Sequence, residues 1–151
     1  MTHQTQCRVI YGDTDNMGVA YHANYFRWFE IGRTEYFRDL GYPYKRMEET
    51  GYFFPVSEAT CKFLAPAKYD DVLVIETDYD DSVRSGIKFN YLIRRLEDRQ
   101  PMARGSTLHA CLDRNGRVVR PPRFIIELMT RRDASGRDAS PAGVNPSKPS
   151  E

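Results

Sequence analysis

Tyr11-Gly12-Asp13-Thr14-Asp15-Asn16-Met17-Gly18-Val19-Ala20-Tyr21-His22-Ala23-Asn24-Tyr25 is the stretch on which the reading of this chain turns. A β-type run ends here in a tight turn bearing two carboxylates, and the turn feeds directly into an aromatic-rich helical pattern. Such a junction sets an aspartate near a helix N-terminus, whose first backbone N–H groups have no partner within the helix and can polarise a carbonyl. A base or nucleophile beside an oxyanion donor is the minimum equipment for acyl transfer.

Upstream, Gln6 to Tyr11 reads as a first strand, with Cys7, Val9 and Tyr11 alternating against Arg8 and Ile10. Downstream, apolar residues recur at helical spacing from Ala23 to Leu40: Tyr25, Trp28 and Phe29, then Tyr36, Phe37 and Leu40. Gly41 is placed as a left-handed C-terminal cap, and Pro43 prevents continuation. Gly32 in mid-helix costs roughly 1 kcal/mol against Ala. Close approach of a sheet to that face is the expected compensation.

Beyond the helix the period changes to two. Tyr52–Phe63, Val72–Tyr79, Ile87–Arg95 and Met102–Leu112 read as strands. Turns are expected at Tyr69-Asp70-Asp71, at Arg84-Ser85-Gly86, at Glu97 to Gln100 and at Asn115-Gly116, with Arg117–Val119 continuing after the last. Phe124 to Met129 is suited to a final helical turn. The pattern is an α+β domain over residues 1–130, with one long helix on an antiparallel sheet. From residue 131 the composition shifts to Ser, Ala, Gly, Pro and charge, which predicts a disordered tail over 131–151. The sheet keeps open edges, and pairing of edges between two copies predicts a homodimer at least.

The 151 residues suit one domain, with 40% hydrophobic and 13% aromatic residues. A formal charge of +1 gives no bulk attraction to nucleic acid or membrane. No apolar run approaches the ~20 residues that span a bilayer. The first residues carry neither a basic nor an apolar leader segment, and Cys7, Cys61 and Cys111 form no CxxC pair. The expectation is a cytoplasmic protein with reduced thiols. His109 and Cys111 share a strand face, but there is no P-loop, GxSxG elbow, HExxH motif or cluster at metal-ligand spacing. A hydrolase with no metal and no cofactor is expected.

The opening stretch, followed by Phe29-Glu30 and Arg33-Thr34-Glu35, closely resembles the signature of hotdog-fold acyl-CoA thioesterases, in the 4-hydroxybenzoyl-CoA thioesterase and YbgC-like branch. Weaker similarity continues through Phe54-Pro55-Val56, Phe63 and Tyr69-Asp70-Asp71-Val72-Leu73. The resemblance implies the hotdog fold, a curved antiparallel sheet of about five strands wrapped around one long central helix. It implies homodimers with a continuous sheet, often homotetramers, and an active site at the dimer interface.

The resemblance also implies roles. Asp15 is the essential carboxylate, acting on the thioester carbonyl directly or by deprotonating water. The backbone N–H of His22 is the oxyanion donor, and its imidazole stands where aromatic-acyl relatives carry Tyr. Asp13 shapes the turn. Tyr25 and Glu30 are candidates for the acyl pocket, though a plain helix-surface position or an ion pair, for example with Arg27 or Arg33, is the favoured reading of Glu30. Arg84 matches one member of a basic cluster that contacts CoA phosphates in the 4-hydroxybenzoyl-CoA enzyme, while Val83 and Ser85 depart from it. His109 is expected to be a packed residue and His3 to lie in a disordered end. The implied substrate is a short-chain or aromatic acyl-CoA, with an acyl carrier protein thioester as an alternative. The rivals are a hotdog hydratase or dehydratase, and a non-catalytic acyl-CoA binding module.

Overall fold

A computed structural model describes residues 2–135. Strand β1 (His3–Arg8) is followed by a short 3-10 turn (Tyr11–Asp13), the long helix α1 (Asn24–Asp39) and the short helix α2 (Tyr44–Glu49). Then come β2 (Val56–Phe63), β3 (Val72–Asp80), β4 (Ile87–Arg95) and β5 (Pro101–His109). The small strands β6 (Cys111–Leu112) and β7 (Val118–Val119) precede helix α3 (Arg123–Ser135). The five long strands form one antiparallel sheet in the order β1-β3-β4-β5-β2. The expected α+β architecture, one long helix against this sheet, is the one observed.

The face of α1 toward the sheet buries Tyr25, Trp28, Phe29, Gly32, Tyr36 and Phe37. Phe29 stacks on Tyr91 of β4 with ring centroids 4.4 Å apart, while Tyr36 and Phe37 meet Phe89 edge-on. Each large side chain so buried contributes roughly 1.5–3 kcal/mol. The close approach expected at Gly32 is present: a Cβ there would lie 2.5 Å from Thr77 Oγ1 and 2.8 Å from Ile75 Cγ2. Gly41 takes φ +75°, and Tyr42 N–H donates to the Phe37 carbonyl at 3.0 Å, closing the helix as its sequence predicts.

Several boundaries differ. The first strand begins at His3 and ends at Arg8, because the Asp13 carboxylate accepts the Ile10 N–H at 3.0 Å and draws the chain out of the ladder. His3 is therefore not in a disordered end: it pairs with Thr77 across the ladder, is only 3% exposed, and its Nε2 lies 2.7 Å from Asp39 Oδ2. The strand expected from Tyr52 starts at Val56, and the one expected to reach Leu112 breaks at Ala110, whose N–H donates to the Pro55 carbonyl at 3.1 Å. Helix α2 has too few apolar positions to show a period, yet it buries Met47. The final helical turn is a thirteen-residue helix that passes residue 131, held by the fully buried Ile125 and Met129. The remainder of the expected tail, 136–151, lies outside the described residues.

Candidate active site

The turn between β1 and α1 is built around its two aspartates. Asp13 is 4% exposed and shapes the loop as expected. Its carboxylate accepts from Ile10 N–H and is ion-paired to Arg27 of α1. Its carbonyl accepts from Tyr21 N–H at 2.8 Å and from the Asn24 amide at 2.7 Å. The helix start is thereby tied to the turn. Asp15 is half-buried at the tip, where its Oδ1 accepts Met17 N–H at 2.8 Å. Its backbone carbonyl accepts Gly18 N–H at 3.0 Å, with Gly18 at φ +77°, a conformation suited to glycine. Among the described residues, Oδ2 of Asp15 has no partner.

Helix α1 starts without a side-chain cap at Ala23. Among the described residues no acceptor faces the N–H of His22, while its carbonyl accepts Tyr25 N–H at 3.3 Å. The imidazole of His22 is exposed and stands edge-on to Phe63 of β2, at 6.3 Å between centroids. Tyr25 is buried against Phe63 at 5.0 Å, and its phenol oxygen accepts Ala67 N–H at 3.3 Å. Burial raises the Tyr25 phenol above its ordinary range, so it remains neutral. A hollow of about 300 Å³ opens here, walled by His22, Tyr25, Phe63, Leu64 and Pro66. Its lining is largely apolar, as an acyl group requires. A second hollow, about 360 Å³, lies along Thr60, Ser106 and Asn90 and holds none of the expected site residues.

The structure brings His22 and Tyr25 to one hollow, and Asp15 sits on the turn that leads into it. Glu30 is exposed on α1 and makes no ion pair among the described residues. Glu30 thus takes the plain helix-surface position, without the ion pair to Arg27 or Arg33 that is its other reading, because Arg27 turns back to Asp13 and Arg33 reaches Tyr91. Arg84 is exposed in the β3–β4 connection. Two residues of this site carried no distinct role in the sequence. Arg27 is the counter-charge of the turn, and Phe63 is the wall that β2 contributes from across the sheet. The sequence signals for Phe63 are the alternation of β2 and its place in the weaker part of the family resemblance.

The thiols are poor candidate nucleophiles. Burial pushes Cys7, Cys61 and Cys111 each up to about 11, so they are protonated at neutral pH. His109 is packed, as expected: its Nδ1 donates to the Phe54 carbonyl at 3.1 Å, and its Nε2 accepts from Thr107 Oγ1 at 2.8 Å. Thr107 in turn accepts from the Tyr91 hydroxyl at 2.6 Å. Among the described residues no group of three His, Cys, Asp or Glu side chains is placed to hold a metal.

The chain is similar to known proteins in sequence and in fold. Residues 9–131 match the thioesterase-like superfamily. The acyl-CoA thioesterase YbgC of Haemophilus influenzae is 35% identical over 107 residues, covering 70% of this chain and 77% of the relative. The 4-hydroxybenzoyl-CoA thioesterase of Pseudomonas sp. strain CBS-3 is 30% identical over 132 residues, covering 82% of this chain and 94% of the relative. The solved DHNA-CoA thioesterase of Staphylococcus aureus superposes with a TM-score of 0.80 at 27% identity, over 89% of this chain and 93% of its own. The chain belongs to the thioesterase-like superfamily, with the hotdog fold, and is an enzyme of the thioesterase class.

Proposed function

We propose that the enzyme hydrolyses the thioester of a short-chain or aromatic acyl-CoA, giving free CoA and a carboxylate, with an acyl carrier protein thioester as the alternative donor. The observation that carries this reading is the unpartnered N–H of His22 at an uncapped helix start, opening on an apolar hollow beside the turn of Asp15. Relatives named for acyl-CoA and 4-hydroxybenzoyl-CoA hydrolysis support the substrate class.

The acyl group enters between Tyr25 and Phe63, and the thioester oxygen accepts from the His22 N–H. Asp15, with Oδ2 unengaged, either adds to the carbonyl carbon or removes a proton from water that does so. In the first route the thiolate leaves, and water then cleaves the resulting anhydride. In the second, hydroxide adds and the thiolate leaves in one round. A thiolate is a good leaving group, so no strong general acid is required. Glu30 lies at the far end of the acyl path, and Arg84 offers its charge to a CoA phosphate. The reading includes a cytoplasmic homodimer or homotetramer, supported by three free thiols and by the exposed edge strand β2.

The test is a panel of acyl-CoAs and acyl carrier protein thioesters assayed by thiol release. Wild type should turn over at least one, and Asp15→Asn should lose on the order of 10²-fold or more in kcat. A wild type inactive on every member overturns the reading; an active Asp15→Asn displaces Asp15. Single turnover in heavy-oxygen water separates the routes, because label enters the Asp15 carboxylate only by the anhydride.

A further inference from the structure

The rings around the hollow beside His22 are held to different degrees. Tyr25 is 3% exposed, bonded to Ala67 N–H and set edge-on to the fully buried Trp28 at 4.8 Å, so the core backs it. Phe63 ends β2 and is 49% exposed. Its ring stands nearly perpendicular to Tyr25, at 83°, and to His22, at 81°. Directly after it, the N–H groups of Leu64 and Ala65 both donate to the Met102 carbonyl, at 2.9 and 3.1 Å. Two residues opposite one end the regular ladder, and Phe63, Leu64 and Ala65 come in succession to the wall of the hollow.

What lies behind Phe63 differs from what lies behind Tyr25. Side chains alternate along a strand, so the contact of Phe63 with Tyr25 sets the odd-numbered residues of β2 on the face toward α1. The next two on that face are Cys61 and Ala59. Across the β2–β5 register, Phe63 meets Ala103 and Cys61 meets Gly105. The Phe29 ring fills the space over Gly105, where a Cβ would come within 2.7 Å of Phe29 Cε2. On the β2 side the side chains are small and not closed over, with Ala59 exposed and Cys61 half-buried. A strip of small residues thus leads from the hollow toward the start of β2, and Phe63 is the large residue standing between the two.

From this we infer that Phe63 sets the upper size of the acyl group: its ring stops the acyl chain at the end of β2, and its removal joins the hollow to the strip over Cys61 and Ala59. The inference rests on the thioesterase reading above and names the residue that fixes the acyl range of that site. A chain longer than the hollow has either to displace the Phe63 ring from its two edge contacts or to leave methylenes in water. Either loss persists into the transition state, so the discrimination is read in kcat/KM. Tyr25 has no such role, because the space behind it is already filled by Trp28.

The test compares kcat/KM for butyryl-, benzoyl- and decanoyl-CoA by thiol release. Wild type should favour butyryl- or benzoyl-CoA over decanoyl-CoA. Phe63→Ala should raise the decanoyl-to-butyryl ratio on the order of tenfold or more, and Phe63→Leu by less. Phe63→Trp narrows the hollow and should lower the benzoyl-to-butyryl ratio. Cys61→Leu added to Phe63→Ala refills the strip and should bring the decanoyl ratio back toward that of wild type. Thermal unfolding is followed for each variant; where Phe63→Ala does not fold, the opposite shifts of Phe63→Leu and Phe63→Trp carry the test.

A wild type that prefers decanoyl-CoA overturns the inference, as do ratios unmoved in every Phe63 variant. A double variant as permissive as Phe63→Ala overturns the path along β2. Wild type inactive on every acyl-CoA overturns the hydrolase reading and this inference with it, whereas an active wild type with unmoved ratios overturns the role of Phe63 alone.

Discussion

The guanidinium of Arg27, in the first turn of α1, closes on the carboxylate of Asp13 and so fastens the helix to the turn that presents Asp15. Asp13 is nearly inaccessible while Arg27 is half-exposed, so the pair is a buried anion met by a cation from the surface. Removing the anion and removing the cation therefore have different consequences.

Asp13→Ala takes away the acceptor of Ile10 N–H as well as the partner of Arg27, and should cost about 1–3 kcal/mol in urea unfolding. Arg27→Met leaves the turn's hydrogen bonds but frees its attachment to the helix. It should lower kcat on the order of tenfold with little change in KM, because the loss is in positioning. Arg27→Lys should recover part of it.

Gly32→Ala should destabilise the protein although alanine favours helix by roughly 1 kcal/mol. The new methyl would sit 2.5 Å from Thr77 Oγ1 and 2.8 Å from Ile75 Cγ2, and overpacking of this kind costs ~1–3 kcal/mol. Set against the helix gain, a net loss of up to roughly 2 kcal/mol is expected by thermal or urea unfolding. Thr77→Ala in the same chain should return part of it, since it removes the atom struck.

Tyr25→Phe removes the acceptor of Ala67 N–H and leaves that donor buried. The expected loss is about 1–3 kcal/mol. Hydrogen exchange at Ala67 should rise with it.

His109 links its protonation to acid stability. Burial holds its pKa down to about 4, against an ordinary 6.5, with the nearby Arg33 charge acting in the same direction and the Phe54 carbonyl against it. The unfolded chain therefore binds this proton first. The neutral imidazole's contribution is complete above about pH 6.5, declines as pH falls toward 4, and is gone below that. The full difference is on the order of 3 kcal/mol. Unfolding free energy measured from pH 7 to 4 should fall more steeply in wild type than in His109→Gln; equal slopes would remove His109 from the account.

The helix and the four later long strands were legible because their signals are periodic and repeated. Tyr25, Trp28, Phe29, Tyr36 and Phe37 mark one face of α1, and the β4 bounds are those that Ile87–Arg95 predicts. His3 was not legible: its order comes from Thr77 and Asp39, both distant in the chain. Helix α2 was missed because one buried residue, Met47, makes no pattern, and α3 was cut short because Ile125 and Met129 are too few to outweigh the composition that follows.

In the candidate site, Asp15, His22 and Tyr25 stand out in the chain because they are close neighbours in one turn-to-helix motif. Local hydrogen bonds set their relation, and local bonds depend on neighbouring residue types. Phe63 and Arg27 acquire their roles through packing between segments remote along the chain. Side-chain identity alone fixed the long helix, the long strands and which face of each is apolar. Which cation met Asp13, which aromatic ring walled the hollow, and which edge was left open were settled by folding, since ion pairing and burial depend on distances that exist only once the sheet has closed on the helix.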